Sequence, residues 1–293
     1  MPRPEAASSE AAAGPAPDVS CADEATGPAP LVVLFHGGAW RARYDRWHLS
    51  PLAAFLAGRG FAVASVEYRR GGEERAEAAA DGAPKGRQEA ADSAPDVPPP
   101  AGRWPETFDD IAAAVDALPE LVRTRIPGRA DPDRIVLCGH SAGGHAALWA
   151  AARHRLPTGS RWHLPSPPPV LGVVALAPIA DFRTARDLRV CSDAVDELLG
   201  GAQHMRARSP HADPAALLPT GIATTIVQGA TDIDVPPQVA EAFAAAATRS
   251  GQPVRLTLLA QTGHFPLIDP AAPAADTVAA ELARVTGPGL PGH

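Results

Sequence analysis

The stretch Ile135-Val136-Leu137-Cys138-Gly139-His140-Ser141-Ala142-Gly143-Gly144 decides the fold. Its first four residues are a short apolar run, and residues 145–153 behind it have a helix-like composition. The order is therefore a strand, a sharp turn carrying a serine, then a helix. Glycines at 139, 143 and 144 suit a turn with no room for side chains beside the serine. The pattern predicts that Ser141 is pushed out at the end of a strand, with its hydroxyl able to meet an apolar substrate. An unactivated hydroxyl is a poor nucleophile, so the chain must also supply a base, an orienting acid and an oxyanion site.

Working outward, Leu31-Val32-Val33-Leu34-Phe35 is a continuous apolar run, as in a strand buried on both faces of a parallel sheet. Similar runs at 61–66, 135–138, 170–176, 224–227 and 254–259 complete six strands. Helical patterns fall between them. Ser50-Pro51 opens one, with Leu52, Phe55 and Leu56 on one face and Gly58 or Gly60 ending it. Phe108, Ile111, Val115 and Leu118 recur at helical spacing, as do Val239, Phe243 and Ala246, and then Val278, Leu282 and Val285. Strands alternating with helices predict an α/β fold, a mostly parallel central sheet flanked by helices. Residues 31–287 read as a single domain, preceded by a disordered Pro/Ala-rich leader (1–30) and followed by a tail (288–293). Within it, 71–103 reads as a flexible insertion and 178–220 as a cap-like excursion over the C-terminal edge of the sheet.

The residues a serine nucleophile needs follow the other strands. His36-Gly37-Gly38-Ala39-Trp40 comes directly after the first strand, where glycines let backbone amides turn toward a developing oxyanion. One donor is expected from Gly37, Gly38 or Ala39 and another from Ala142, the residue after the serine. His36 reads as a brace for that loop, and Trp40 either lines the pocket or packs under the loop. Gly229-Ala230-Thr231-Asp232-Ile233-Asp234-Val235-Pro236 offers two carboxylates. Asp232, nearer the strand end, is the expected acid; Asp234, just before a helix, reads as a cap and is the alternative. His264, in Gln261-Thr262-Gly263-His264-Phe265-Pro266, is the expected base, with Phe265 beside it as a substrate contact. Ser, Asp and His each follow a strand, which puts them at one edge of a parallel sheet, where open α/β sheets bind ligands. His140 and His145, flanking the serine, read as residues that pack or bond locally.

These motifs resemble those of the α/β-hydrolase superfamily of serine esterases across about residues 31–285. The pairing of His36-Gly-Gly-Ala-Trp40 with Gly139-His-Ser-Ala-Gly-Gly144 is similar to the kynurenine-formamidase and feruloyl-esterase-like group, as are Tyr68-Arg69 and Gly263-His264-Phe265. The resemblance implies Ser141 as nucleophile, Asp232 as acid, His264 as base and the His-Gly-Gly loop as oxyanion hole. It also implies a sheet one or two strands short at its N-terminal side, because only residues 1–30 precede the first apolar strand. The expected activity is cleavage of small carboxylic esters through an acyl-enzyme. The alternative is an arylformamidase acting on N-formylkynurenine-like amides, and the third reading is a non-catalytic binding protein on the same fold.

Composition is compatible with this. The chain has 293 residues, is 45% hydrophobic and carries a formal net charge of −7. That is enough for one sizeable core. No dense Lys/Arg run exists, so nucleic acid is not an expected partner; the expected partner is a small-molecule ester or amide. Cys21, Cys138 and Cys191 are scattered and odd in number, which indicates neither a disulfide framework nor a zinc site, and no cofactor or metal is expected. No apolar span reaches the length of a membrane helix and no apolar signal core opens the chain, so the expectation is a soluble, cytoplasmic protein. Oligomeric state leaves no mark in the sequence.

Overall fold

The computed structural model describes residues 18–20, 27–72 and 100–287. Most of the expected leader and of the 71–103 insertion, and all of the 288–293 tail, lie outside the described residues. The described strands form one seven-stranded sheet. They are β1 (Asp18–Ser20), β2 (Ala29–Phe35), β3 (Ala62–Val66), β4 (Ala130–His140), β5 (Gly172–Leu176), β6 (Thr224–Gly229) and β7 (Arg255–Leu259), in the order β1-β3-β2-β4-β5-β6-β7. Strands β2 to β7 are parallel, as expected.

One expectation needs correction. Order does not begin at Leu31: β2 starts at Ala29, and β1 lies inside the expected leader. Among the described residues one strand precedes β2, pairing antiparallel with β3 from Asp18↔Ser65 to Ser20↔Val63, which is one fewer than the two the resemblance calls for. An edge strand this short is held by backbone bonds and carries no apolar period, so its sequence does not announce it.

The apolar runs are continuous because both faces of the sheet are covered. Leu31, Val33, Phe35, Leu137 and Val173 point into one core, against α2 (Glu106–Arg125) and α3 (Ala142–Ala151), while Val32, Leu34, Val136, Cys138 and Val174 point into the other, against α1 (Ser50–Ala57). The excursion between β5 and β6 carries α4 (Phe182–Asp187), α5 (Ala194–Leu198) and α6 (Met205–Arg208). Val239 and Phe243 of α7 (Pro237–Arg249) join the first core, and Val278 and Leu282 of α8 (Pro273–Thr286) join the second. Fully burying each such side chain contributes about 1.5–3 kcal/mol.

Parallel register brings the strand ends together. Phe35 sits opposite Gly139, Leu176 opposite both His140 and Val227, and Gly229 opposite Leu259. The segments that leave these strands therefore emerge along one edge. They carry His36–Trp40, Ser141, the Asp232 loop and His264.

Candidate active site

Ser141 occupies the sharp turn between β4 and α3 with φ 58° and ψ −118°, a conformation that costs a non-glycine residue on the order of 1–3 kcal/mol. Close packing holds it there. A Cβ on Gly143 would lie 2.1 Å from the Phe35 carbonyl oxygen, and one on Gly139 would lie 2.2 Å from that of Gly143. Only glycine lets the start of α3 approach β2 this closely. The Ser141 amide donates to the Leu176 carbonyl (2.8 Å), and its carbonyl accepts from His145 (3.1 Å). Among the described residues its Oγ has no hydrogen-bond partner, His264 included.

The loop after β2 curls against this turn. Gly38, Ala39 and Trp40 have φ of 102°, 52° and 57°, three successive left-handed residues. A Cβ on Gly37 would stand 3.2 Å from that of Ser141, so the loop backbone lies directly beside the serine. No described residue accepts a hydrogen bond from the amides of Gly38, Ala39 or Ala142. Backbone N–H groups without partners beside a strained serine are what an oxyanion site requires. The loop is braced from below. Tyr68 Oη donates to the His36 carbonyl (2.7 Å), and its ring stacks on that of His36 at 4.3 Å. Burial pushes the Tyr68 phenol up, so it stays protonated as a donor. His36 contacts the Gly37 carbonyl through Nδ1 (2.8 Å) and Glu67 through Nε2 (3.0 Å). Burial alone would raise the Glu67 carboxyl, but the bond and charge of His36, with help from the Arg46 amide and Arg70, bring it down to about 2.

Trp40 is fully buried, edge-on to His145 at 5.1 Å. Of the two fates left open for it, packing under the loop is the one observed. Its carbonyl accepts from Gly71 and Gly102. Arg41 then ties the loop to the excursion, donating to the Cys191 carbonyl (2.8 Å) and to Glu197 Oε2 (2.9 Å). With the weak contact of Cys191 Sγ to the Asp234 carbonyl (3.9 Å), these bonds place the excursion at the same edge as the loops.

Asp232 and His264 are brought together, and Asp234 is not. Asp232 Oδ2 accepts from His264 Nδ1 at 2.7 Å and from Gln228 Nε2 at 3.2 Å, while Oδ1 accepts from the amides of Asp234 and Val235, both at 2.9 Å. Asp232 and His264 are buried, whereas the Asp234 residue is exposed. Phe265 is half exposed and meets the His264 ring edge-on at 5.3 Å.

Two supports escape sequence reasoning. Gln228, the penultimate residue of β6, bonds Asp232 and the carbonyls of Gly229 and Val235. His140 lies under His264, ring centroids 4.3 Å apart, and its Nε2 donates to the His264 carbonyl (3.1 Å). Burial, then the nearby His264, holds the His140 imidazole well below its usual range, so it donates this bond as a neutral ring. His140→Leu should lower kcat of any reaction at Ser141 by about 5- to 50-fold with KM little changed, the cost of one buried hydrogen bond. His140→Gln, which keeps an N–H at similar reach, should recover most of it. Equal loss in both variants would mean that the bond does not position His264.

The family described as alpha/beta hydrolase fold matches residues 97–267, which include Ser141, Asp232 and His264. The family described as putative esterase matches residues 23–157, a range that includes β2 and the serine turn. A comparison with curated proteins finds no match. Similar solved structures include a truncated carbohydrate esterase from gut microbiota, at 16% identity and a TM-score of 0.67 over 92% of this chain and 90% of that one. Another is a bacterial heroin esterase, at 21% identity and 0.65 over 94% and 80%. A third is an esterase from the Planctomycetes species Thermogutta terrifontis, at 18% identity and 0.61 over 90% and 86%. Likeness at these identities speaks to fold. Together with a family match over more than half of its length, it makes the chain a member of the alpha/beta hydrolase fold family.

Proposed function

We propose that the protein is a serine hydrolase that cleaves carboxylic esters of small substrates through an acyl-enzyme. The observation that carries the reading is the buried His264–Asp232 bond at the sheet edge where a strained Ser141 emerges beside partnerless amides. His264 takes the Ser141 proton on Nε2 as Oγ attacks the ester carbonyl. Asp232 holds Nδ1–H, fixing the tautomer and stabilising the imidazolium that forms. The carbonyl oxygen gains negative charge and is held by the amides of Gly38 or Ala39 and of Ala142. The imidazolium then protonates the departing alkoxide, and the acyl group stays on Ser141. Water, deprotonated by His264, attacks that acyl-enzyme by the same route and releases the acid. Gly37 and Phe265 border the reacting carbonyl. Serine–histidine pairs of this kind tighten into a hydrogen bond when substrate binds.

A fluorophosphonate probe should label the folded protein once, at Ser141, and prior labelling should abolish p-nitrophenyl acetate hydrolysis. Labelling elsewhere, or activity that survives full labelling, would overturn the reading. Running N-formylkynurenine beside short p-nitrophenyl esters separates the two substrate classes: an ester preference in kcat/KM supports the proposal, and a formamide preference by orders of magnitude replaces it with the arylformamidase reading.

A further inference from the structure

Glu197 of α5 joins three segments that lie far apart in the chain. Its Oε2 accepts from Arg41 Nη2 at 2.9 Å and from the Ala101 amide at 2.7 Å. Arg41 directly follows Trp40, the last of the three left-handed residues in the loop after β2. The Arg41 side chain is buried and also donates to the carbonyls of Cys191 (2.8 Å) and Ser192 (3.5 Å). Beside Glu197, Leu198 packs on Gly102, where a Cβ would stand 2.3 Å from Leu198 Cδ1. The Gly102 amide donates to the Trp40 carbonyl at 2.7 Å. The excursion thus holds the end of the loop twice, through Glu197 and Arg41 and through Leu198 and Gly102.

Two features tie this arrangement to the chemistry at Ser141. The first is what it anchors. Ala39 and Trp40 have φ of 52° and 57°, a backbone that a side chain disfavours, so the loop keeps its curl only while both of its ends are fixed. Strand β2 and the His36 brace fix one end; Trp40 and Arg41 are the other. The amides of Gly38 and Ala39, which no described residue engages, lie between the two. The second is the turn that meets Arg41. Arg189, Cys191, Ser192 and Asp193 have φ of 54°, 51°, 58° and 62°, and Cys191 Sγ reaches the Asp234 carbonyl at 3.9 Å, two residues from Asp232. Left-handed non-glycine residues persist where their surroundings over-determine them, and they cluster at functional sites. The Glu197 side chain is 38% exposed, so water screens its charge and its effect lies in geometry, one oxygen holding two donors in place.

We propose that Glu197 is a positioning residue for the reaction at Ser141. Through Arg41 and Ala101 it fixes the downstream end of the His36–Trp40 loop, which keeps the Gly38 and Ala39 amides aimed at the developing oxyanion. This role rests on the esterase reading, and it makes the excursion a working part of the site. Outright loss of one oxyanion donor costs about 100- to 1,000-fold; a donor that is displaced but still present costs less, about tenfold.

The test compares the full chain with Glu197→Ala and Glu197→Gln by p-nitrophenyl acetate turnover, inhibition by 2,2,2-trifluoroacetophenone and melting temperature. Ser141 Oγ adds to the ketone carbonyl, its proton passes to His264, and the carbonyl π pair becomes an oxyanion held by the same amides, so the inhibition constant reports their aim. Glu197→Ala should lower kcat/KM about tenfold and raise the inhibition constant by the same factor. Glu197→Gln, whose carbonyl oxygen can accept from both donors, should recover most of both. A structural role alone would lower the melting temperature of Glu197→Ala and leave both constants within about twofold, which would overturn the proposal. So would a fall in kcat/KM with the inhibition constant unchanged, or an equal loss in the glutamine variant. If Glu197→Ala does not fold, Arg41→Lys carries the same test with the same outcomes, because an ammonium cannot serve Glu197 and the Cys191 carbonyl as one planar fork. A native chain that neither turns over the ester nor is inhibited by the ketone would overturn the esterase reading and this role with it. A native chain that does both, beside unaffected variants, would overturn this role alone.

Discussion

Replacing Ser141 with alanine is expected to cut ester turnover by a factor on the order of 10⁴ to 10⁶ while leaving the melting temperature unchanged. Both halves follow from the geometry. Oγ has no hydrogen-bond partner among the described residues, so removing it orphans nothing in the fold. Alanine keeps the Cβ, so the cost of holding φ at 58° is the same as for serine. The proposed chemistry, in contrast, loses its nucleophile, and what remains is whatever the free amides and binding contribute to direct attack by water. Ser141→Gly sharpens the test. Glycine adopts this backbone without penalty, so that variant should be as inactive as alanine and more stable by about 1 kcal/mol. Kinetics with p-nitrophenyl acetate and calorimetry measure both effects. An alanine variant with near-normal turnover would remove Ser141 from the reaction. A glycine variant no more stable than the native chain would mean that the turn stores no strain.

The parts legible in the sequence are those that one local rule fixes. Leu31 to Phe35 reads as a doubly buried strand because both faces of the sheet are covered and every position is apolar. Gly139 and Gly143 mark the turn because a backbone carbonyl fills the space a side chain would need. Ser141, Asp232 and His264 fall at one edge because each follows a parallel strand. What was not legible depends on tertiary contacts and backbone conformations that residue type does not announce. The strand Asp18–Ser20 has a single apolar residue and exists through its pairing with β3. Whether Trp40 faces the pocket or the core is set by three left-handed residues in a row, and Ala39 and Trp40 are not residue types that announce such a backbone. His140 and Gln228 hold the base and the acid through contacts 124 and 4 residues away, and nothing in a single sequence separates them from any other buried polar residue.

The second large effect concerns the acid. Asp232→Asn should lower kcat about 10⁴-fold, and Asp234→Asn should stay within about twofold of the native rate. The carboxylate of Asp232 is an acceptor on both oxygens: two backbone amides meet Oδ1, and His264 and Gln228 meet Oδ2. An asparagine has one acceptor oxygen, and its NH₂ group must face one of these two sets of donors. If the oxygen keeps the amides of Asp234 and Val235, the NH₂ turns to His264 Nδ1, which can then only accept. The imidazole proton moves to Nε2, the atom that must take the Ser141 proton, and the base is lost with the ring still in place. If the oxygen keeps His264 instead, the NH₂ opposes two N–H groups in a buried turn, and the loop from Asp232 to Val235 is destabilised by about 1–3 kcal/mol. The two outcomes are separable, because the first lowers rate at constant melting temperature and the second lowers both. Asp234 forms no side-chain hydrogen bond among the described residues, so its charge is dispensable in either case. A crippled Asp234→Asn beside a fully active Asp232→Asn would assign the acid to the wrong carboxylate and would make the 2.7 Å contact with His264 a structural bond alone.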